Sequence, residues 1–191
     1  MTPRASTLLL AALAACTPSK PVGPAPSAYF GEFRSTDLQF ADCFATALEA
    51  ARAPSLLRQR DSTFRVTHVP WTCEAAEIWT LARTTTGALG THWEATRTPT
   101  PKGPWIAADM TPATFLSDSR WHQWLDLRAE WHAFLSEGGH YWADLGADPW
   151  LVEWTDAEAY HWAVWDPLRD GMDRAVDWLA YVITRNPDGD R

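Results

Sequence analysis

The sequence predicts a single α+β domain in which an N-terminal helix and a small antiparallel sheet precede a tryptophan-rich helical half. Three observations support this prediction. The chain has 191 residues, 46% of them hydrophobic, which suits one ordinary domain with one buried core. Short alternations of β-branched and aromatic residues occupy positions 63–98. Helix-start signals recur after position 111, where nine of the thirteen tryptophans lie.

The first fifteen residues, MTPRASTLLLAALAA, combine one basic residue with a run of leucines and small residues. The run is shorter than the about 20 apolar residues that a membrane-spanning helix needs. We therefore expect residues 1–15 to be a secretory signal peptide. The alternative is an N-terminal apolar helix that packs on the domain.

The residues Leu13-Ala14-Ala15-Cys16 place an aliphatic residue and two small residues before a cysteine. This tetrapeptide resembles the lipobox of bacterial lipoproteins, and the resemblance covers only the first 16 residues. It implies that Cys16 is acylated and begins the mature chain. Because Thr17 and not aspartate follows, it also implies an outer-membrane lipoprotein of the cell envelope, facing the periplasm or the cell surface. Ala12-Leu13-Ala14 alternatively fits an ordinary signal-cleavage site.

The sequence contains three cysteines, Cys16, Cys43 and Cys73. If Cys16 carries lipid, the other two form an even set in an oxidising compartment, and the count predicts a disulfide bond between Cys43 and Cys73. The alternative is two buried free thiols, because sequence cannot show that the cysteines lie close together.

The mature chain begins with a tether, because residues 16–28 are rich in proline and contain little to bury. We expect the globular domain over 29–185 and a flexible tail over 186–191. The first helix follows the capping box Thr36-Asp37-Leu38-Gln39, has apolar residues at helical spacing up to Ala51, and stops at Ala53-Pro54.

Three segments that follow the first helix predict antiparallel strands: TFRVTHV, EIWTLARTTT and THWEATRT. Residues 73–79 could alternatively be helical. The proline-rich stretch at 98–104 predicts a loop between the sheet and the helical half.

In the second half, four combinations of a capping residue with proline or glutamate predict helix starts: Thr111-Pro112, Asp148-Pro149, Thr155 with Glu158, and Asp166-Pro167. The run WHQWLDLRAEWHAFL at 121–135 has helical periodicity. The last predicted helix, 167–185, places its apolar residues on one face and three aspartates on the opposite face.

Within 121–135, Arg128 and His132 fall on the same half of the helix as Trp124 and Trp131. The first interpretation is a core stripe in which Arg128 stacks between the two tryptophans and pairs with a carboxylate from a later helix. The second is an anion pocket with Arg128 and His132 as its floor. The third is a partner protein that covers the stripe.

Charge and motifs restrict the possible functions. The net charge is −8 and the sequence has only two lysines, so we expect no nucleic-acid partner. Metalloprotease, hydrolase-elbow and phosphate-loop motifs are missing from the sequence, and we expect no metal, no cofactor and no nucleophilic catalysis.

The sequence thus predicts a lipid-anchored, non-catalytic binding or structural module with an envelope protein as its partner. The alternative is binding or hydrolysis of cell-wall glycan. Hydrolysis needs two carboxylates about 5–9 Å apart beside aromatic platforms. Glu130, Glu153 and Glu158 lie among tryptophans and are the candidate acids.

Overall fold

The structure is a computed structural model that describes seven parts of the chain: residues 27–31, 38–97, 103–107, 111–135, 148–156, 159–165 and 172–185. The predicted signal peptide, Cys16, most of the tether, Glu158 and the tail lie outside these described residues. In this part of the chain the helices are α1 (Ser27–Phe30), α2 (Leu38–Ala50), α3 (Asp118–Leu135) and α4 (Met172–Arg185), with a 3₁₀ helix at Leu56–Arg58.

One antiparallel sheet holds all seven of the described strands. They are β1 (Thr63–His68), β2 (Ala75–Arg83), β3 (Gly87–Arg97), β4 (Trp105–Ala107), β5 (Thr114–Ser117), β6 (Trp150–Thr155) and β7 (Tyr160–Trp165). The strand order is β4-β3-β2-β1-β6-β7. Strand β5 also pairs with β3, on the same edge as β4: β5 contacts the first residues of β3 and β4 contacts its last residues. The sheet therefore joins residues from both halves of the chain.

The predicted fold class is wrong, because the second half of the chain is not a helical half. Strands β5, β6 and β7 lie in the half for which helix starts were expected. Thr155, the expected first residue of a capping box, instead accepts a hydrogen bond from the backbone N–H of Thr63 at 3.2 Å and donates one to the carbonyl of Asp61. The Asp156 carboxylate closes the β6–β7 turn by accepting from the N–H of Ala159 at 2.9 Å.

Other predicted elements are present in the structure. Helix α2 lies within the first predicted helix, α3 covers the run at 121–135, and α4 covers most of the last predicted helix. The three strands expected between 63 and 98 are β1, β2 and β3, and residues 75–83 form a strand and not a helix. Local periodicity therefore predicted these elements well. The cap signals at Thr111-Pro112, Asp148-Pro149 and Thr155 were wrong, because the first two precede strands β5 and β6 and Thr155 ends β6, whereas Asp166-Pro167 lies outside the described residues.

Helices cover both faces of the sheet. On the first face, named here the α3/α4 face, Phe64, Val66 and Leu81 pack with Trp124 and residues of α4 in one buried cluster. On the opposite face, named the α2 face, a second buried cluster joins Phe44 and Leu48 of α2 to strand residues. These strand residues include Ile78, Trp93 and Leu151. Since successive strand residues point to opposite faces, the two clusters use alternate positions of the same strands.

Helix α4 approaches β3 closely at Gly90. A Cβ atom at this position would lie 2.7 Å from Cγ1 of Ile183, so only glycine lets the helix pack at this distance. The hydroxyl of Thr114 donates a hydrogen bond to the backbone carbonyl of Ile183 at 2.8 Å. These contacts hold the last turns of α4 against β3 and β5. Within the described residues, no helix combines the length and the apolar composition that crossing a membrane would require.

The disulfide prediction is confirmed, since Cys43 on α2 and Cys73 in the β1–β2 connection lie at disulfide distance with Cα atoms 6.1 Å apart. Cys73 adopts a left-handed backbone conformation, with φ of 55°, and its N–H donates to the carbonyl of Pro70 at 2.7 Å. The bridge ties the helix on the α2 face to the turn between the two central strands.

Loss of this bridge should destabilise the domain. We expect reduction, or Cys43→Ser, to lower the free energy of unfolding by about 3–4 kcal/mol, because the bridge closes a loop with a sequence separation of 30 residues. Thermal melting with and without reductant measures this effect. The control is the double variant Cys43→Ser/Cys73→Ser, which reductant should leave unchanged; equal melting of the oxidised and reduced parent chain would contradict the prediction.

Candidate functional site

A buried ion pair joins strand β1, at the centre of the sheet, to strand β6, which comes from the second half of the chain. Arg65 on β1 and Glu153 on β6 are register partners, and they are 1% and 0% exposed. The guanidinium makes two parallel contacts, Nε to Oε2 and Nη2 to Oε1, both of 2.7 Å. Its Nη1 donates to the carbonyl of Pro54, also at 2.7 Å. This bidentate geometry is the strongest form of an arginine–carboxylate contact.

Tyr160 completes the network by donating its hydroxyl to Oε1 of Glu153 at 3.0 Å. Burial, and then the negative charge of Glu153, raise the pKa of Tyr160 well above its ordinary range, so the phenol stays a neutral donor. Glu153 thus receives three hydrogen bonds inside the core. A carboxylate held in this way stabilises the sheet and does not face a ligand at the surface.

The other residues predicted as ligands occupy separate places. Trp124 is fully buried, with its ring centroid 4.3 Å from that of Phe64. The guanidinium carbon of Arg128 lies 5.8 Å from the ring centroid of Trp154, on the α3/α4 face. Burial lowers the pKa of Arg128, and the carboxylate of Asp156 partly opposes this. Arg128 and Glu153 therefore lie on opposite faces of the sheet.

Three further candidates, Glu130, Trp131 and His132, are part of α3, but their side chains lie outside the described residues, as does the whole of Glu158. The structure therefore brings none of the described candidate residues into one cleft. Trp124 and Arg128 serve the packing of the α3/α4 face, and Glu153 serves the opposite face.

A polar cluster that sequence reasoning missed lies at one end of the α3/α4 face. In the register, His68 is opposite Glu77, and Glu77 is opposite Glu94, across β1, β2 and β3. Two positions along each strand, Val66 on β1, Trp79 on β2 and His92 on β3 lie on the same face. Glu77 is half-buried and the side chain of Glu94 is 57% exposed. This end of the face therefore reaches solvent at Glu94, whereas Trp79 and His92 are buried. We call it the carboxylate end, and it comprises His68, Glu77, Trp79, His92, Glu94 and Trp150.

Four aromatic rings stack along the carboxylate end. The rings of His92 and Trp79 are 5.0 Å apart and 10° from parallel. Trp79 and Trp150 are 5.8 Å apart at 9°, and Trp150 and His68 are 4.3 Å apart at 20°. The stack spans β3, β2, β6 and β1. It holds both imidazoles in fixed orientations beside the carboxylates.

Burial shifts the titration of Glu77, His68 and His92 toward their neutral forms. It raises the pKa of Glu77, and the like charge of Glu94 raises it further. Burial lowers the pKa values of His68 and His92, with partial opposition from the carboxylates of Asp148 and Glu94 respectively. One half-buried and one exposed carboxylate beside two imidazoles form an arrangement that favours a cation.

One sequence signal could have found this cluster. The hairpin β2–β3 turns at residues 84–87, and its register opposes Glu77 to Glu94 and Trp79 to His92. Counting outward from that turn in the segments EIWTLAR and GTHWEATR puts these four side chains on one face. The known metal motifs have helical or paired-cysteine spacing, so they do not detect ligands that face each other across a hairpin.

No protein-family model, no curated protein and no solved structure matches the chain.

Removing one partner of the buried ion pair should destabilise the sheet strongly. We expect Arg65→Met to destabilise the fold by about 3–5 kcal/mol, because Glu153 would stay buried without its cation. The matched control is Arg128→Met, whose half-buried guanidinium should contribute only about 1 kcal/mol through Trp154. Urea unfolding of both variants measures the difference. Equal losses would contradict the prediction, and Arg65→Met/Glu153→Leu should regain part of the lost stability.

Proposed function

We propose that this chain is a lipid-anchored lipoprotein of the bacterial cell envelope, held at the outer membrane through Cys16. Its domain acts as a non-catalytic binding or structural module with an envelope protein as partner. The carrying observation is the cysteine pair. Cys43 and Cys73 lie at disulfide distance, which leaves Cys16 as the one remaining cysteine of the sequence. Structural disulfides are typical of oxidising compartments outside the cytoplasm.

The sequence before the domain supports the anchor. The lipobox-like residues 13–16 are followed by a proline-rich stretch that suits an extended tether. Acylation by two or more chains holds a protein durably at a membrane, whereas a single chain binds marginally. A domain attached in this way needs no membrane-spanning helix.

The chemistry of the core supports a non-catalytic role. Glu153, the one candidate acid whose side chain the structure describes, is saturated by Arg65 and Tyr160. A glycosidase acid must instead reach the glycosidic oxygen and exchange a proton with it. The hydrogen bonds of Glu153 oppose that role.

The alternative function is binding or hydrolysis of cell-wall glycan. Its candidate acids are Glu130, Glu153 and Glu158, of which Glu153 is committed to the core. One observation still favours glycan binding. Trp71 is 43% exposed and its ring packs edge-on against Phe40 at 5.0 Å, which leaves indole surface for a sugar ring.

The anchor can be tested by changing Cys16 alone. We expect the parent chain, expressed in a bacterium, to fractionate with the outer membrane and to carry a mass increase from acyl groups at a mature terminus of Cys16. The variant Cys16→Ala should lose both properties while its melting temperature, and the dependence of that temperature on reductant, stay unchanged. An unmodified chain that still begins at Met1 would contradict the proposal.

The glycan alternative can be separated from the leading function by tryptophan fluorescence. We expect titration of the full chain with soluble peptidoglycan fragments to give a flat response, because the leading proposal assigns a protein partner. A saturable shift that disappears in Trp71→Ala would favour glycan binding. The control is Tyr181→Ala, which removes another exposed aromatic ring, on α4, and should change nothing.

A further inference from the structure

Three ligand-type side chains converge at the carboxylate end. One ligand atom from each of Glu77, His92 and Glu94 lies within 4.8 Å of the other two. Glu77 and Glu94 are opposite each other in the β2–β3 register, and His92 precedes Glu94 by two residues, so all three point to one face. Their backbones belong to β2 and β3, which are paired strands of the sheet. The convergence is thus built into ordered structure and not into a loop.

His92 carries a buried nitrogen that lacks a partner. The residue is 6% exposed, and its Nε2 has no hydrogen bond in the structure. A carboxylate oxygen, Oε1 of Glu94, is 3.5 Å away and does not form a hydrogen bond with it. Buried polar atoms are nearly always satisfied, so an orphaned imidazole nitrogen inside a group of carboxylates indicates a missing ligand.

The charges at this position favour a cation. Two carboxylates face each other across adjacent strands, where like charges directly opposite are destabilising.

We propose that Glu77, His92 and Glu94 bind one divalent transition-metal ion of the zinc class. One imidazole with two carboxylates is a donor set that zinc accepts, whereas calcium and magnesium prefer oxygen ligands alone. Three protein ligands leave a fourth position for water or for a group from a partner. The site would give the binding module a metal-dependent contact surface beside the stacked rings.

The geometry needs only a small adjustment. Zinc binds nitrogen and oxygen at about 2.0–2.2 Å, so two ligand atoms on one tetrahedral ion are about 3.5 Å apart. The present spread of up to 4.8 Å must contract by roughly 1 Å. The half-buried side chain of Glu77 and the exposed side chain of Glu94 can supply that movement by rotation. His92 is held by the stacked ring of Trp79, 5.0 Å away, and stays in place.

Calorimetric titration of the full chain tests the proposal. The protein is purified in detergent, stripped with a chelator and titrated with zinc chloride alone. We expect one zinc ion per chain, a higher melting temperature with zinc than without, and no displacement by an excess of calcium or magnesium. Absence of saturable binding, or displacement by calcium or magnesium, would overturn the proposal.

Two glutamate variants and one control locate the ion. Glu94→Gln and Glu77→Gln should each weaken zinc binding by at least about tenfold, because each removes a charged ligand. Without metal, both should melt at or above the parent temperature, since each also removes carboxylate repulsion. The control is His122→Gln, which removes an exposed imidazole 3.3 Å from Asp118 on α3 and should bind zinc as the parent does.

The variants also distinguish the carboxylate end from any other zinc-binding position on the chain. Unchanged zinc affinity in both glutamate variants, or a loss in His122→Gln, would place the ion elsewhere and overturn the proposal. His92→Gln should abolish binding, but it alters a buried stacked ring; if it fails to fold, the two glutamate variants decide. None of these results depends on acylation of Cys16, so the proposed function and the metal site can fail independently.

Discussion

The pairing of β1 with β6 is the constraint on which the rest of the structure depends. Strand β1 is buried on both faces and lies at the centre of the sheet, and its two neighbours come from opposite halves of the chain. Arg65 and Glu153 face each other across this pairing with bidentate geometry. A shift of one residue would turn Arg65 into the apolar α3/α4 cluster, where its charge would have no partner. The ion pair therefore specifies the register as well as joining the two halves.

The same register decides what the α3/α4 face presents at each end. At one end, α3 and α4 cover Phe64, Leu81 and Trp154 with tryptophans and aliphatic residues. At the other end, the pairing of His68 with Trp150 extends the ring stack toward the carboxylates. One sheet face thus provides both a dry core and an open polar cluster. The helices that stabilise the first leave the second accessible.

Local sequence patterns predicted several elements because their signals are local. Apolar spacing placed α2 and α3, and alternation placed β1 to β3. The same approach failed at β6 and β7, since Thr155 and the acids near it resemble a helix start. Ser, Thr and Asp satisfy backbone groups equally well in helix caps and in hairpin turns. Here Thr155 bonds across strands to Thr63, and Asp156 closes the turn. A capping residue that is not followed by a clear helical period therefore does not distinguish a helix start from a hairpin turn.

The sequence by itself determined the features that depend on composition and short spacing: the even pair of domain cysteines, the acidic charge, the lipobox-like tetrapeptide and the first strands. Only the tertiary structure decided which side chains contact each other. Glu153 was a candidate ligand in the sequence, and it became a core residue because Arg65, 88 positions away, pairs with it. His92 was not a candidate ligand in the sequence, and the hairpin register brought its imidazole within 4.8 Å of two carboxylates. Contacts across a sheet depend on which strands become neighbours, and no local period encodes that choice.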